Sequence, residues 1–115
     1  RVIIMSRSTS SLSWAVMSEK PLVLIDRKDD ICLTSKAKDI MSEGIFLFST
    51  ESPTFNEDIV SFLSKPIDEI ENMWDKKSIA RQKMINSLFS AYKGGAGKRA
   101  AEFINERYFN LSYTI

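Results

Sequence analysis

The sequence contains no histidine and only one cysteine, Cys32. Without histidine there can be no Ser-His-Asp or Cys-His catalytic pair, no imidazole base and hardly any zinc site. A lone thiol also excludes an internal disulfide framework and a multi-thiolate metal centre. We therefore assign no catalytic residue and no metal ligand, and any proton transfer must come from a carboxylate, a lysine or another polypeptide.

Glycine and proline are scarce, with four and three residues, and no apolar run approaches the roughly 20 residues of a membrane-spanning helix. The chain of 115 residues is 43% hydrophobic and 27% charged, unlike a disordered tail or a low-complexity linker. Sixteen basic and fifteen acidic residues leave a net charge of +1, so no overall field attracts nucleic acid. The composition predicts a single folded domain over residues 1–115 without a nucleic-acid partner.

Three short apolar runs alternate with helical patterns in residues 1–54. The runs are Val2–Met5, Leu22–Ile25 and Ile45–Phe48. Continuous apolar runs are typical of strands covered on both faces. Their alternation with helices predicts right-handed crossovers and therefore a parallel sheet.

The two intervening helices have recognisable ends. The first is predicted over residues 12–19 and is closed by Lys20-Pro21, since proline cannot continue a helix. Asp29 or Asp30 is predicted to cap the second, which carries apolar residues from Ile31 to Met41 and stops at Gly44. The fold class is therefore α/β.

Residues 55–115 are predicted to be mostly helical, with the final residues 110–115 undetermined. Asn56 is expected to cap the first of these helices. Two apolar stripes follow. Trp14 and Trp74 are interpreted as core or interface anchors, and Trp14, near the hydroxyl cluster of residues 8–11, could instead stack on a base. The stripes comprise Ile67, Ile70 and Trp74, and then Ile79, Ile85, Leu88, Phe89 and Tyr92. A last helix is predicted over residues 97–109.

Charge is balanced overall but divided along the chain. Residues 51–75 hold seven acids and one base, whereas residues 76–107 hold eight bases and two acids. One interpretation is a pair of complementary solvated helices. The other is a basic face that contacts a membrane or an anionic donor.

The strongest local signal is the hydroxyl cluster after the first strand, Ser8-Thr9-Ser10-Ser11, preceded by Arg7. In open α/β sheets ligands bind beyond the carboxyl ends of the strands. Amides at the start of a helix suit phosphate, hydroxyls add donors, and arginine adds a forked cationic contact. The alternative is that these hydroxyls only cap the helix.

The stretch from Ser8 to Ile25 resembles the donor-site segment of GT-B glycosyltransferases, especially bacterial surface-carbohydrate and capsule enzymes and teichoic-acid glycerophosphotransferases. These carry a strand, a Ser/Thr cluster, a helix with an alanine, and Lys-Pro before the next strand. The matching residues are Thr9-Ser10-Ser11, Ala15 and Lys20-Pro21. The segment from Gly94 to Ile104 resembles the closing helix of the family. One departure is Trp14, which stands where many relatives have an acid.

The resemblance implies a three-layer, Rossmann-like parallel sheet of about three strands with a helical C-terminal half, part of the C-terminal lobe of a GT-B fold. It implies that Thr9, Ser10 and Ser11, with Ser8 and Arg7 as lesser candidates, hold the phosphates of a nucleotide-activated sugar donor without any cofactor. The acceptor site and catalytic base would belong to an N-terminal lobe, so this chain alone is expected to be inactive.

The beginning of the chain and the thin sheet lead to the same expectation. The first residue is Arg1, and a strand follows at once. A three-stranded sheet has two bare edges, which normally need a neighbour. We therefore expect a C-terminal fragment of a longer cytoplasmic protein, located at the inner face of the membrane if the basic face contacts lipid. The bare edges also favour a homo-oligomer.

Three other groups have structural as well as functional interpretations. Gly94 to Lys98 imitates a phosphate loop but lacks its Ser/Thr and its strand, so we interpret it as a helix break and restart. Asp26, Asp29 and Asp30 could hold magnesium or a ribose, but capping and solvation are favoured. Cys32 is interpreted as a small buried residue rather than a reactive thiol.

Three functions remain open on the sequence. The preferred one is donor binding in a glycosyltransferase of bacterial surface polysaccharide biosynthesis. A nucleotide-sugar 2-epimerase is the enzymatic alternative, because it shares the two-lobed fold and a similar turn. A non-catalytic, flavodoxin-like interaction domain is the alternative from another class.

Overall fold

A computed structural model describes residues 1–7, 11–29, 33–89 and 94–109 of the chain. These residues form an α/β fold in which a parallel sheet of three strands is flanked by helices. The strands are β1 (Ile3–Met5), β2 (Leu22–Asp26) and β3 (Phe46–Ser49). Their order in the sheet is β1-β2-β3, and both pairings are parallel. The predicted fold class and strand sequence are confirmed.

The described helices follow the predicted alternation. They are α1 (Ser11–Met17), α2 (Ser35–Gly44), α3 (Phe55–Leu63), α4 (Ile67–Lys76), α5 (Ser78–Leu88) and α6 (Ala96–Ile104), and α6 continues into a π-helical turn (Asn105–Phe109). After α1 the backbone of Glu19 adopts a left-handed conformation, with φ of 61°, and Lys20-Pro21 then leads into β2. The Pro21 carbonyl accepts a hydrogen bond from the Ile3 amide at 2.8 Å, which starts the β1–β2 ladder.

Two predicted helix caps are wrong. Thr34 caps α2, and its hydroxyl accepts a hydrogen bond from the Ala37 amide at 3.2 Å. The carboxylate of Asp29 pairs with Arg27 instead, and Asp30 lies outside the described residues. Helix α3 already includes Asn56, because it begins after Thr54. In both cases a threonine that the sequence pattern did not single out directly precedes the helix.

The core lies between the sheet and the helices that cover it. On one face of the sheet, the ring of Phe46 lies 4.6 Å from that of Phe62 and 5.8 Å from that of Trp74, measured between centroids. Phe48, two residues further along β3, also contacts Phe62. Trp74 is therefore a core residue, as predicted. The buried apolar residues are Leu12, Ala15, Val16, Leu22, Val23, Leu24, Met41, Ile45, Phe46, Phe62, Ile70, Trp74 and Met84.

Helices α2 and α5 pack closely against each other. Gly44 ends α2 as predicted, but the structure gives it a second role. A Cβ atom at Gly44 would lie 3.0 Å from both the Cα of Arg81 and the Sδ of Met84. A larger residue would require α5 to move by a few tenths of an ångström, and the fully buried side chain of Met84 fills the space beside Gly44.

The apolar stripe predicted for α5 is only partly correct. Ile85 and Phe89 pack against the core, and Met84 is buried. Ile79, which the stripe included, is 75% exposed, and Leu88 is exposed as well. Tyr92 lies outside the described residues. The residues on the α2 side of α5 are therefore Arg81 and Met84, which the apolar pattern did not identify.

No helix among the described residues combines the length and the apolar composition needed to cross a bilayer.

Candidate functional site

The carboxyl ends of the three strands meet at one edge of the sheet, which we call the carboxyl edge. It comprises the segments that follow Met5, Asp26 and Ser49. This is the edge at which α/β proteins bind ligands, because the chain there passes from a strand into the start of a helix and exposes amides and short polar side chains. The predicted site residues belong to the first of these segments.

Of the five predicted site residues, the structure describes Arg7 and Ser11. Arg7 is exposed and lies two residues beyond the end of β1. Ser11 is also exposed and is the first residue of α1. The other three, Ser8, Thr9 and Ser10, lie outside the described residues. The described ends of this segment thus leave the strand and enter the helix as the sequence predicted.

The end of β2 is closed by an ion pair. The carboxylate of Asp26 is buried, with 4% of the residue exposed, and its Oδ2 lies 3.0 Å from the Nζ of Lys38 on α2. Its other oxygen accepts a hydrogen bond from the Leu33 amide at 3.2 Å. The backbone carbonyl of Asp26 accepts the Thr50 amide, which ties the end of β2 to the end of β3. Asp26 is therefore an internal structural group and is poorly placed to hold a ribose or a metal.

The other described acids at the carboxyl edge are also paired. Arg27 donates two hydrogen bonds to the carboxylate of Asp29, at 3.3 and 3.0 Å. These hydrogen bonds, together with the charge of Arg27, lower the pKa of Asp29. Lys28 lies 2.9 Å from Glu51 and so joins the segments after β2 and β3. Each described carboxylate in the segments after the strands therefore has a cationic partner, and the net charge of these acids is compensated.

No cluster of three or more potential metal ligands occurs within the described ranges of the chain. The favoured use of these acids, capping and solvation, is wrong for Asp26, which is buried in an ion pair with Lys38. Asp29 is exposed, but it pairs with Arg27 and does not cap α2, and Asp30 lies outside the described residues. Cys32, the other candidate beside them, lies outside the described residues.

The surface of α1 carries an exposed aromatic ring. Trp14 is 82% exposed, so it is not the core residue that one interpretation of the sequence allowed. It follows Ser11 by three residues and therefore lies on the same side of α1, one turn along the helix. With Ser13, Met17 and Ser18 it lines an open depression of about 430 Å³. A planar ring could stack there, whereas the hydroxyl of Ser18 is already bonded to the Ala15 carbonyl.

The segment that imitates a phosphate loop is a helix restart, as predicted. Gly94 and Gly95 both have positive φ, and α6 begins at Ala96. The guanidinium of Arg99 turns back onto the Gly94 carbonyl, and Lys98 lies 3.9 Å from Glu102. Both cations are thus engaged locally, which fits a structural turn.

A second depression, of about 410 Å³, lies at the opposite edge of the sheet and was not predicted. It is lined by Arg1, Glu19, Lys20, Pro21, Glu71, Trp74 and Asp75. Below it, the guanidinium of Arg81 stacks 3.7 Å from the ring centre of Trp74 and donates to the Trp74 carbonyl at 2.9 Å. Burial lowers the pKa of Arg81, and the carboxylates of Asp75 and Glu19 oppose this effect.

This second depression has one signal in the sequence, the surplus of acids in residues 51–75. Two of its carboxylates come from that region, but Glu19 comes from the end of α1, which no local pattern connects to it. Since it lies where the strands begin, it is away from the edge at which α/β folds bind ligands. The carboxyl edge therefore remains the candidate site.

Comparisons of the chain with protein-family models, with curated proteins and with solved structures give no match.

Proposed function

We propose that this chain is the donor-binding part of a GT-B-type glycosyltransferase of bacterial surface polysaccharide biosynthesis. The segment after β1, with Arg7 and Ser11 at its described ends, would receive the phosphates of a nucleotide-activated sugar. Turnover would require the second lobe that the resemblance implies. The proposal includes a cytoplasmic location at the inner face of the membrane.

One observation carries the proposal: the charge balance of the carboxyl edge. Its described acids are neutralised by Lys38, Arg27 and Lys28, so they do not oppose an approaching anion. Arg7 adds a further cation at the end of β1. A diphosphate carries two or more negative charges, so an edge with compensated acids is electrostatically better suited to it than an acidic one.

The order of elements supports the same proposal. A strand, a helix, a Lys-Pro end and a parallel second strand follow one another, as in the segment that the sequence resembles. The exposed Trp14 adds an aromatic surface one turn from Ser11, where the related proteins carry an acid for the ribose or sugar. An aromatic ring at that position favours stacking over hydrogen bonding as the contact to the donor.

The exposed Trp14 equally favours one competing function, a non-catalytic interaction domain. Large exposed aromatic side chains are enriched at protein interfaces. An interaction domain would use this ring without any nucleotide at the carboxyl edge, so the two functions differ in a measurable way.

The test is an amide chemical-shift titration of the 115-residue chain with CMP, CDP, UDP and GDP. We expect saturable shifts of the Arg7, Ser11 and Leu12 amides with at least one diphosphate, and smaller shifts with CMP. Arg7→Gln should weaken binding by about tenfold, because it removes one charge-assisted contact. Arg107→Gln is the matched control, since it removes the same charge from the far end of the chain.

Shifts confined to Trp14 and its neighbours, with none at Arg7 and Ser11, would refute phosphate binding and favour an interaction domain. Equal weakening by Arg7→Gln and Arg107→Gln would show that only the overall charge matters. Absence of shifts with all four nucleotides would reject the donor-binding proposal.

A further inference from the structure

Helix α6 and its π-helical turn expose four large apolar side chains, Phe103, Ile104, Tyr108 and Phe109, which we call the α6 apolar face. Between 47% and 71% of each residue is exposed. None of the residues from Ala96 to Ile104 is buried. Contiguous apolar patches of more than a few hundred Å² are rare on soluble monomers and indicate a contact surface.

The four side chains lie together because of the helical geometry. Phe103 and Ile104 are adjacent, and Tyr108 follows Ile104 by four residues, the spacing that aligns side chains along a helix. A π-helical turn bonds residues five apart, so Phe109 also follows Ile104 on this side. The π turn therefore extends the apolar face of α6 by two aromatic rings.

Charges are distributed unequally around the same helix. Glu102 and Glu106 are four residues apart and thus share one side, where Glu102 pairs with Lys98 at 3.9 Å. Arg107 follows Phe103 by four residues and lies beside it, with its guanidinium 5.8 Å from the ring centre of Phe103. A cation therefore borders the apolar face, and the acids lie away from it. Residues 96–109 carry three bases, Lys98, Arg99 and Arg107, and two acids, Glu102 and Glu106.

We propose that the α6 apolar face inserts into the surface of a membrane that contains anionic lipids, with Arg107 at the level of the headgroups. An amphipathic helix with aromatic and aliphatic residues on one side and basic residues around it binds in this way. Basic segments close to a bilayer are further attracted by anionic lipids. The proposal refines the membrane location included in the proposed function, but it rests on α6 and not on nucleotide binding.

The size of the face favours a lipid surface over a second copy of the chain. Its four side chains expose roughly 500 Å², whereas a stable protein interface needs about 800 Å² from each partner. Insertion into lipid requires no matching shape on the other side. A second copy of the same four-residue face carries no acid to pair with the bordering Arg107, whereas anionic headgroups attract it.

The experiment is co-sedimentation of the 115-residue chain with two kinds of vesicle, phosphatidylcholine alone and phosphatidylcholine with about 30% phosphatidylglycerol. We expect at least about tenfold stronger binding to the anionic vesicles at low salt, and a marked loss at high salt. The double variant Phe103→Ser/Phe109→Ser should lower this binding by about tenfold or more.

The matched control is the double variant Ile79→Ser/Val60→Ser, which removes two exposed apolar side chains from α5 and α3. It should bind anionic vesicles as the unmodified chain does. Circular dichroism establishes that both double variants are folded, which we expect because all four positions are exposed.

Three outcomes would overturn the inference. One is no binding to anionic vesicles, and another is equal loss of binding in the two double variants. The third is a concentration-dependent dimer in sedimentation velocity that only Phe103→Ser/Phe109→Ser abolishes, since the face would then join two copies. The nucleotide titration distinguishes the two proposals: nucleotide-induced shifts at Arg7 and Ser11 should persist in the α6 variant, and their absence in every variant would reject donor binding alone.

Discussion

Helices α5 and α6 come from the same basic part of the sequence but differ in what they contact. Helix α5 packs against α2, buries Met84 completely and positions Arg81 on the ring of Trp74. Helix α6 buries none of the residues from Ala96 to Ile104. Yet α6 is more strongly amphipathic than α5.

The comparison shows that amphipathicity and packing are separate properties. A strongly amphipathic helix normally buries its apolar side in the core of its own domain. In this chain the less amphipathic α5 packs on the core, with Met84 beside Gly44 and Arg81 stacked on Trp74. Ile85 and Phe89 add further core contacts. The amphipathic character of α6, with its apolar side exposed, therefore favours a contact outside the domain. This is the basis for the membrane proposal.

The largest expected effect concerns the volume that α5 buries. Met84→Ala should lower the free energy of unfolding by about 2–5 kcal/mol, because it leaves a cavity between α2 and α5. Ile79→Ala on the exposed side of the same helix should change it by less than about 0.5 kcal/mol. Urea denaturation followed by circular dichroism measures both. Similar losses in the two variants would mean that α5 is anchored differently from the structure.

A smaller effect concerns the close approach of α2 and α5. Gly44→Ala should lower the free energy of unfolding by about 1–2 kcal/mol, because the added Cβ would lie 3.0 Å from the backbone of Arg81 and from the buried Sδ of Met84. The higher helix propensity of alanine, about 1 kcal/mol in a helix interior, offsets only part of this cost. A stability equal to or above that of the unmodified chain, measured by urea denaturation, would contradict the observed approach.

The sequence predicts the sheet well and the helix contacts less well. Apolar runs and punctuation by proline and glycine located β1, β2 and β3 to within one residue at each end. These signals are local, because a strand buried on both faces must be apolar throughout, as β2 is from Leu22 to Ile25. In β1 the expected cover on both faces is wrong for Ile4, which is 51% exposed. The end of α2 at Gly44 was also predicted. The close approach of α5, however, depends on Arg81 and Met84, which no local pattern connects with Gly44.

The same distinction applies to the candidate site. The position of Arg7 and Ser11 at the carboxyl edge follows from the strand–turn–helix pattern. The ion pair of Asp26 with Lys38 does not, since it depends on how α2 crosses the sheet. Likewise, the pattern could not tell that Trp14 is exposed and Trp74 buried, because both occupy helical positions next to apolar residues.

The smallest expected effect tests whether α6 folds as part of the core. Gly97 lies in the first turn of α6, and a Cβ there would meet nothing within 4 Å. Gly97→Ala should therefore stabilise α6 by about 0.5 kcal/mol through helix propensity alone, slowing amide exchange in α6 by about twofold. Because α6 is not anchored in the core, the urea midpoint of the whole domain should stay the same, unlike in Gly44→Ala. A urea midpoint that shifts together with the exchange rates would show that α6 unfolds with the sheet. Helices α5 and α6 would then differ in exposure but would unfold in the same cooperative step.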